Sequence, residues 1–271
     1  MLDYQKVIFL EVDMNNAQAN PITELRTIIA FDAVKHLKRL TLPERETQDF
    51  STREIDQQKF KIRLTRNDNQ RQSANLLIEK MYAWRGYSTV TNFDRAPNKI
   101  TLSVFNEEQV IATLTLGFDS PAGLQVDALY PSEIRAVRDA GHSVCEITQL
   151  AVDENVRSKK VLASIFHMAY IYAHQIYKCS DVLIEVNPRH VLFYEKMLGF
   201  KQFGQQKICP RVNAPAVLLK VETNYVEMQI EKFGGKMETA ANEKSFYPYF
   251  FSKTDEIGIA KRLRPIDALN N

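Results

Sequence analysis

A strand and an uncharged segment in the middle of the chain restrict the fold more than any other feature. Residues 144–152 read VCEITQLAV, and the segment Val161–Tyr177 contains no Asp, Glu, Lys or Arg. That segment holds His167 and His174 and is shorter than the roughly 20 residues of a membrane span. We therefore predict a buried strand followed by a buried helix of a soluble protein.

Apolar patterns of strand and helix periodicity alternate around this pair, from Phe60 to Glu222. The predicted strands are 60–64, 100–105, 110–116, 144–152, 182–186, 200–203 and 216–221. The predicted helices run from Asp68 or Asn69 to just before Gly86, and over 132–140, 158–178 and 191–198. This order predicts an α/β (α+β) fold with a mixed sheet and helices on both faces.

The composition and the apolar periodicity of the sequence divide the chain into three regions. Residues 1–58 hold one helical pattern, 23–40, and a polar linker; residues 59–222 form the core; residues 223–271 form a helical and aromatic extension. The aromatic cluster of that extension, 246–251, is too apolar to remain in water. It can pack over the core, cover a ligand slot, join a homodimer or rest on a membrane surface, and we expect packing or dimerisation.

Charge and cysteine content exclude several classes of protein. Thirty-five basic and 33 acidic side chains leave a formal net charge of +2, which argues against a nucleic-acid-binding protein. The three cysteines are far apart and have no histidine at zinc spacing, so we expect neither a metal site nor a disulfide framework. The N-terminal residues are too acidic for a secretory signal, and we expect a cytoplasmic protein.

Glu146 is the first candidate for chemistry. It lies in the middle of a strand that should be apolar, on one face with Val144, Thr148, Leu150 and Val152 by simple alternation. Burial would raise the pKa of this carboxyl toward the range of a general base. The alternative is an ion pair with an arginine of the preceding helix, either Arg135 or Arg138.

Two further motifs follow in the chain. Arg157, Lys159 and Lys160 precede or begin the long helix, where main-chain N–H groups favour an anion; a solvated basic turn is the alternative. Tyr194 lies on one face of the last helix of the core. It could protonate a leaving group, or be an ordinary core tyrosine.

These elements and motifs resemble the GNAT acyltransferase superfamily over 60–222. The resemblance rests on the strand with Glu146, the helix after it, and a closing pattern of Phe193, Tyr194, Gly199 and Phe200. It implies a mostly antiparallel mixed sheet whose two central strands splay apart. Coenzyme A-dependent members carry an Arg/Gln-x-x-Gly-x-Gly/Ala loop, but here Lys160 and Leu162 occupy the glycine positions.

That departure resembles the branch that takes acyl groups from acyl carrier protein. The segments MYAWRGYST, DSPAGLQVDALY and EITQLAVD look most like the long-chain N-acyl amino acid synthases. The resemblance implies no tightly bound cofactor, acyl-phosphopantetheine on acyl carrier protein as donor, and an amino acid as acceptor.

The resemblance also implies roles for individual residues. Glu146 would be the base and Thr148 would orient the amine or a water. Main-chain N–H groups of Leu150, Ala151 and Val152 would bind the donor, and Arg157, Lys159 and Lys160 would meet its phosphate and the carrier protein. The expected acyl-chain pocket consists of Trp84, Phe105, Leu114, Leu116 and Phe118, and the expected acceptor-binding residues are Arg85, Asp127 and Arg135.

Other functions stay open at this point. The first is acetyl transfer from acetyl-coenzyme A, and the second is acyl transfer to ornithine or a homoserine-lactone precursor. The third is a non-catalytic module that binds acyl chains.

Overall fold

The computed structural model describes residues 27–34, 57–87, 96–156, 158–240 and 242–267. The strands are β1 Thr27–Val34, β2 Gln57–Leu64, β3 Lys99–Asn106, β4 Gln109–Phe118, β5 Val144–Val152, β6 Asp181–Val186, β7 Lys201–Gln202, β8 Lys207–Cys209 and β9 Ala214–Glu222. The helices are α1 Asp68–Ala83, α2 Pro131–Asp139, α3 Lys159–Tyr170, α4 Val191–Leu198, α5 Thr223–Phe233 and α6 Lys253–Asp267. The predicted order of core elements is confirmed except for the short strand β8, which was not predicted.

The strands form one mixed sheet in the order β1-β2-β3-β4-β5-β6-β9-β7, and β8 extends β9. Neighbouring strands are antiparallel except for β5 and β6. Helices α1 and α2 pack on one face of the sheet, whereas α3, α4, α5 and α6 pack on the other. The predicted fold class is therefore correct.

The helix predicted over 23–40 is wrong where the structure describes it. Residues 27–34 form strand β1, and its remaining positions lie outside the described residues. Ile29, Phe31 and Ala33 alternate as buried side chains, and β1 pairs antiparallel with β2. The apolar spacing fits both the helical and the strand period. The pairing with β2 stabilises the strand.

A β-bulge in β5 changes which residues share a face. Thr115 pairs with Thr148 but Thr113 pairs with Ala151, so two residues of β5 oppose one of β4. Gln149 has a φ of 50°, in the left-handed region that favours glycine. The prediction that Leu150 and Val152 share the side of Glu146 is therefore wrong: both pack toward α3, and Ala151 packs toward α1.

Strands β5 and β6 separate in the middle of the sheet. Their parallel pairing covers only residues 144–147 and 181–184. The rest of β5, from Thr148 onward, leaves β6 and opens a gap between the two strands. This gap positions the site described below.

The C-terminal extension packs on the core. Helix α3 continues as a π-helix, Ile171–Ile176, inside the predicted helix 158–178. Phe246, Tyr247 and Phe250 are at most 3% exposed and join the apolar cluster of α3. Of the placements considered for this aromatic cluster, the structure shows packing over the core.

Candidate active site

A large cleft of about 1580 Å³ opens where β5 leaves β6. Its walls come from α1, from the separated ends of β5 and β6, from α4 and from the segment around Arg211. Pockets for one small ligand are about 300–1,000 Å³, so this volume suits two substrates side by side.

Glu146 lies at the base of the cleft and is 0% exposed. Its Oε1 accepts a hydrogen bond from Gln125 N at 2.8 Å, and its Oε2 accepts one from Val126 N at 3.0 Å. Burial raises the pKa of this carboxyl, and the two N–H groups and the charges of Lys99 and Arg211 offset only part of that effect. Arg138, one of the alternative partners, instead binds Asp119 and Asp127.

Polar side chains form a row beside Glu146. Thr101 and Thr115 share a hydrogen bond of 2.7 Å, and Thr115 Oγ1 donates to Gln149 Oε1 at 2.9 Å. All three residues line the cleft together with Thr148. The row holds the bulged backbone of β5 in place and gives this wall hydrogen-bonding capacity.

The predicted donor-binding residues do not all face the cleft. Leu150 and Val152 line it, whereas Ala151 is buried against α1. Arg157 lies outside the described residues. Lys159 packs over the ring of Tyr249 at 5.7 Å, and neither it nor half-buried Lys160 is among the cleft residues.

The first turn of α3 is capped by the residue that precedes the helix. The Oγ of Ser158 accepts a hydrogen bond from Val161 N at 3.4 Å. Burial lowers the pKa of Lys160, although the Asp32 carboxylate acts in the opposite direction. Val161 N and Leu162 N, which donates to Ser158 O, are therefore already paired within the helix.

The acyl-chain pocket expected from the sequence is not formed. Of its five residues only Trp84 lines the cleft, where it is 67% exposed. Phe105 packs against α1, and the other three are core side chains on the α3 face: Leu114, Leu116 and Phe118. Strand alternation places these residues on opposite faces of the sheet, so they cannot share one slot.

Two of the three predicted acceptor-binding residues lie elsewhere. Arg85 lines the cleft and donates to Met81 O at 2.9 Å. Both oxygens of Asp127 bind Arg138 at 2.7 Å, and Arg135 is exposed on α2 away from the cleft. Burial acts to raise the pKa of Asp127, but hydrogen bonds from Arg138 and Leu124 outweigh it and leave that pKa lowered.

Tyr194 lines the opposite wall with His190 and Phe193. Burial raises the pKa of its hydroxyl, so the group stays protonated at neutral pH. Its ring contacts Phe166 and Phe200 edge to face. Both sequence interpretations, proton donor and core tyrosine, remain compatible with this position.

Comparisons with known proteins agree on the class of this site. A family model described as N-acyl amino acid synthase FeeM matches residues 73–222. The chain belongs to this family. It is an acyltransferase of the N-acyl amino acid synthase type with a GNAT-like fold.

Solved structures add detail to this relationship. FeeM, an N-acyl amino acid synthase from uncultured soil microbes, is 28% identical with a TM-score of 0.59, over 63% of this chain and 95% of that one. Escherichia coli ElaA is 11% identical with a TM-score of 0.46, over 59% and 98% of the two chains. The AHL synthase LasI is 11% identical with a TM-score of 0.45, over 62% and 91%. A search of curated proteins gave no significant match.

The cleft residues of this N-acyl amino acid synthase homologue that were not predicted from the sequence include Lys99, Gln149, Glu185 and Arg211. Glu185 carried the same signal as Glu146, a carboxylate inside an apolar strand. The other three carried no local signal, because only the sheet register and loop packing bring them to the cleft.

Two general properties complete the site. Among the described residues, no cluster of three or more His, Cys, Asp or Glu side chains is arranged to hold a metal ion. In the same part of the chain, no helix has the length and apolar character needed to cross a membrane.

Proposed function

We propose that the protein transfers a long-chain fatty acyl group from acyl carrier protein to the α-amine of an amino acid. The amine attacks the thioester carbonyl, the C–N bond forms, and the C–S bond breaks to release the phosphopantetheine thiol. The ammonium must lose a proton before it attacks. A base, a site for the developing oxyanion and close positioning are therefore the requirements.

The observation that carries this proposal is a buried carboxylate at the base of a two-substrate cleft. Glu146 has a raised pKa and lies where the two central strands separate. In the proposal it takes the proton of the ammonium, directly or through water, while Thr148 orients the amine. Tyr194 on the opposite wall donates a proton to the leaving thiolate, and the second proton lost by the nitrogen as the amide forms restores the tyrosine.

The open edge of β5 supports the assignment of the donor site. From Thr148 to Val152 this strand has no pairing with β6 among the described residues, so its main chain on that side is available for pantetheine amides. Phosphopantetheine carries two such amides. We place the donor arm along this edge, with Leu150 and Val152 beside it.

The start of α3 supports acyl carrier protein over coenzyme A. A pyrophosphate needs free main-chain N–H groups in a glycine-rich loop. Here Lys160 and Leu162 stand at the glycine positions, and Val161 N already donates to Ser158 Oγ. A carrier protein brings its single phosphate on its own surface and does not need this cradle.

For the acyl chain we replace the slot expected from the sequence with apolar cleft residues of α1 and α4. They are Ile78, Met81, Trp84 and Phe193, and they reach the cleft from the two faces of the sheet where β5 and β6 separate. An acyl carrier protein donor also places the reaction in the cytoplasm.

The test is a product analysis with purified protein. Palmitoyl acyl carrier protein, palmitoyl-coenzyme A or acetyl-coenzyme A is mixed with the protein amino acids and ornithine, and amides are detected by mass spectrometry. We expect N-palmitoyl amino acids with the carrier protein donor only. Turnover of acetyl-coenzyme A would contradict the donor assignment. A product formed with ornithine alone would contradict the assigned class of acceptor. Binding of acyl chains without any amide product would identify a binding module.

A further inference from the structure

The cleft contains a second carboxylate, Glu185, that the mechanism above does not use. It lies on β6 directly after Ile184, the last residue paired with β5, and its side chain is 11% exposed. Glu146 pairs with Leu183, two residues before it. Both carboxylates are therefore on one face of the sheet, with Cα atoms roughly 8 Å apart from strand geometry.

One oxygen of Glu185 lacks a partner. Its Oε1 accepts a hydrogen bond from Arg211 Nη2 at 2.8 Å, whereas its Oε2 is buried and has no hydrogen-bond partner among the described residues. The Cys209 thiol forms a hydrogen bond with this carboxylate, but a thiol is only a weak donor. A buried carboxylate oxygen without a partner costs free energy, so a ligand that supplies a positive N–H donor would stabilise it.

Arg211 connects the two carboxylates. Its Nη1 donates to Gln125 O at 3.3 Å, and Gln125 N donates to Glu146 Oε1 at 2.8 Å. The arginine thus holds Oε1 of Glu185 and the turn that supports Glu146 in one hydrogen-bonded group. Oε2 of Glu185 is left for a ligand that reaches the same point of the cleft.

The charges at this point select one end of an amino acid. Lys99 and Arg211 offset part of the negative charge of the two glutamates. The oxygen of Glu185 that has no partner is still left to attract an ammonium group and repel a carboxylate. Asp127, which the sequence predicted as an acceptor-binding residue, is saturated by Arg138 outside the cleft. Glu185 has both the free oxygen and the position that Asp127 lacks.

We propose that Glu185 binds the α-ammonium group of the acceptor amino acid through Oε2, while Arg211 holds its Oε1. This assignment rests on the proposed function. An ammonium has three N–H donors, so one can bind Glu185 while another faces the base. The proton is lost to Glu146, and the contact with Glu185 keeps the resulting amine directed at the thioester.

The kinetic test compares Glu185→Gln with Glu222→Gln, a matched change of an exposed glutamate on β9. Initial rates are measured with the acceptor that wild type uses best. The amide NH₂ of E185Q repels an ammonium, so we expect the KM for the acceptor to rise about 10- to 100-fold. The kcat should stay within about threefold, since ground-state and transition-state binding are lost together. E185D, which keeps the charge, should recover part of the loss.

A binding experiment without acyl donor separates this proposal from the proposed function. Saturation-transfer NMR with a mixture of the protein L-amino acids should show binding to wild type and E222Q, and none to E185Q. Equal binding by E185Q, no binding by wild type, or an unchanged KM would overturn the role of Glu185. Binding by wild type in the absence of any amide product would instead refute the proposed function and leave the ammonium site standing.

Discussion

At the scale of single residues, the position of Glu146 depends on the small size of its neighbour Gly117. Gly117 on β4 pairs with Glu146 on β5, and a Cβ at Gly117 would lie 2.9 Å from Glu146 Oε1. The carboxylate cannot give way easily, because both of its oxygens bind main-chain N–H groups. The absence of a side chain at position 117 is therefore a requirement of the buried glutamate.

Gly117→Ala should displace Glu146 and reduce the rate of acyl transfer at least tenfold, with a loss of about 1–3 kcal/mol in the free energy of unfolding from overpacking. Initial rates and denaturant melts measure the two effects. Gly258→Ala is the control, since a Cβ there meets no atom within 4 Å. A fully active G117A enzyme would show that the position of Glu146 does not matter for turnover.

At the scale of elements, a polar contact joins helix α6 to helix α3. His167 is 0% exposed; its Nδ1 accepts from Phe251 N at 3.0 Å, and its Nε2 contacts Glu256 Oε2 at 3.1 Å. Because Nδ1 is an acceptor, the ring is neutral and Nε2 carries the proton. Burial lowers the pKa of His167, although Glu256 acts in the opposite direction.

Acidification should weaken this contact. The ordinary pKa of histidine is 6.5, and the pKa of His167 in the folded protein is lower. Below pH 6.5 this residue therefore binds a proton in the unfolded chain more readily than in the folded protein, and the free energy of unfolding falls as pH decreases. Between pH 7.5 and 5.5 we expect this residue to account for a loss of about 1 kcal/mol.

Denaturant melts of wild type and His167→Gln at these two pH values measure the effect. His190, whose pKa burial also lowers, contributes equally to both proteins. The variant should be less stable at neutral pH but less sensitive to acid. Identical sensitivity in the two proteins would assign the pH dependence to other groups.

At the scale of the whole molecule, the catalytic core and the C-terminal extension share one apolar interior. The family match ends at residue 222, yet Phe246 and Tyr247 are 2% and 1% exposed and pack in the main cluster with Phe166. Tyr247 OH also donates to Leu198 O at 2.6 Å. The extension thus covers core side chains that would otherwise face water.

A chain ending at residue 222 should not fold on its own. Burial of each large aromatic side chain contributes about 1.5–3 kcal/mol, which is a large share of the stability of a domain. Near-ultraviolet circular dichroism and thermal melts should show no cooperative transition for this truncation. A sharp transition close to that of the full chain would contradict the shared interior.

Local patterns were sufficient for the order of the core elements other than the short strand β8. The alternation of β5, the uncharged α3 and the pattern around Tyr194 predicted the central βαβα unit, and the carboxylate inside an apolar strand pointed to Glu146. Periodicity is a property of neighbouring residues, so the sequence carries it directly. These features also carried the resemblance that the family match confirms.

Tertiary structure decided which residues meet. The bulge at Gln149 shifted the phase of β5, pairing with β2 turned a helical pattern into β1, and the two faces of the sheet divided the expected acyl pocket. Arg211 reaches Glu185 across 26 positions of sequence. The sequence by itself determined most of the core elements and one buried acid. Register and loop packing, which depend on distant segments, decided strand β1 and the composition of the cleft.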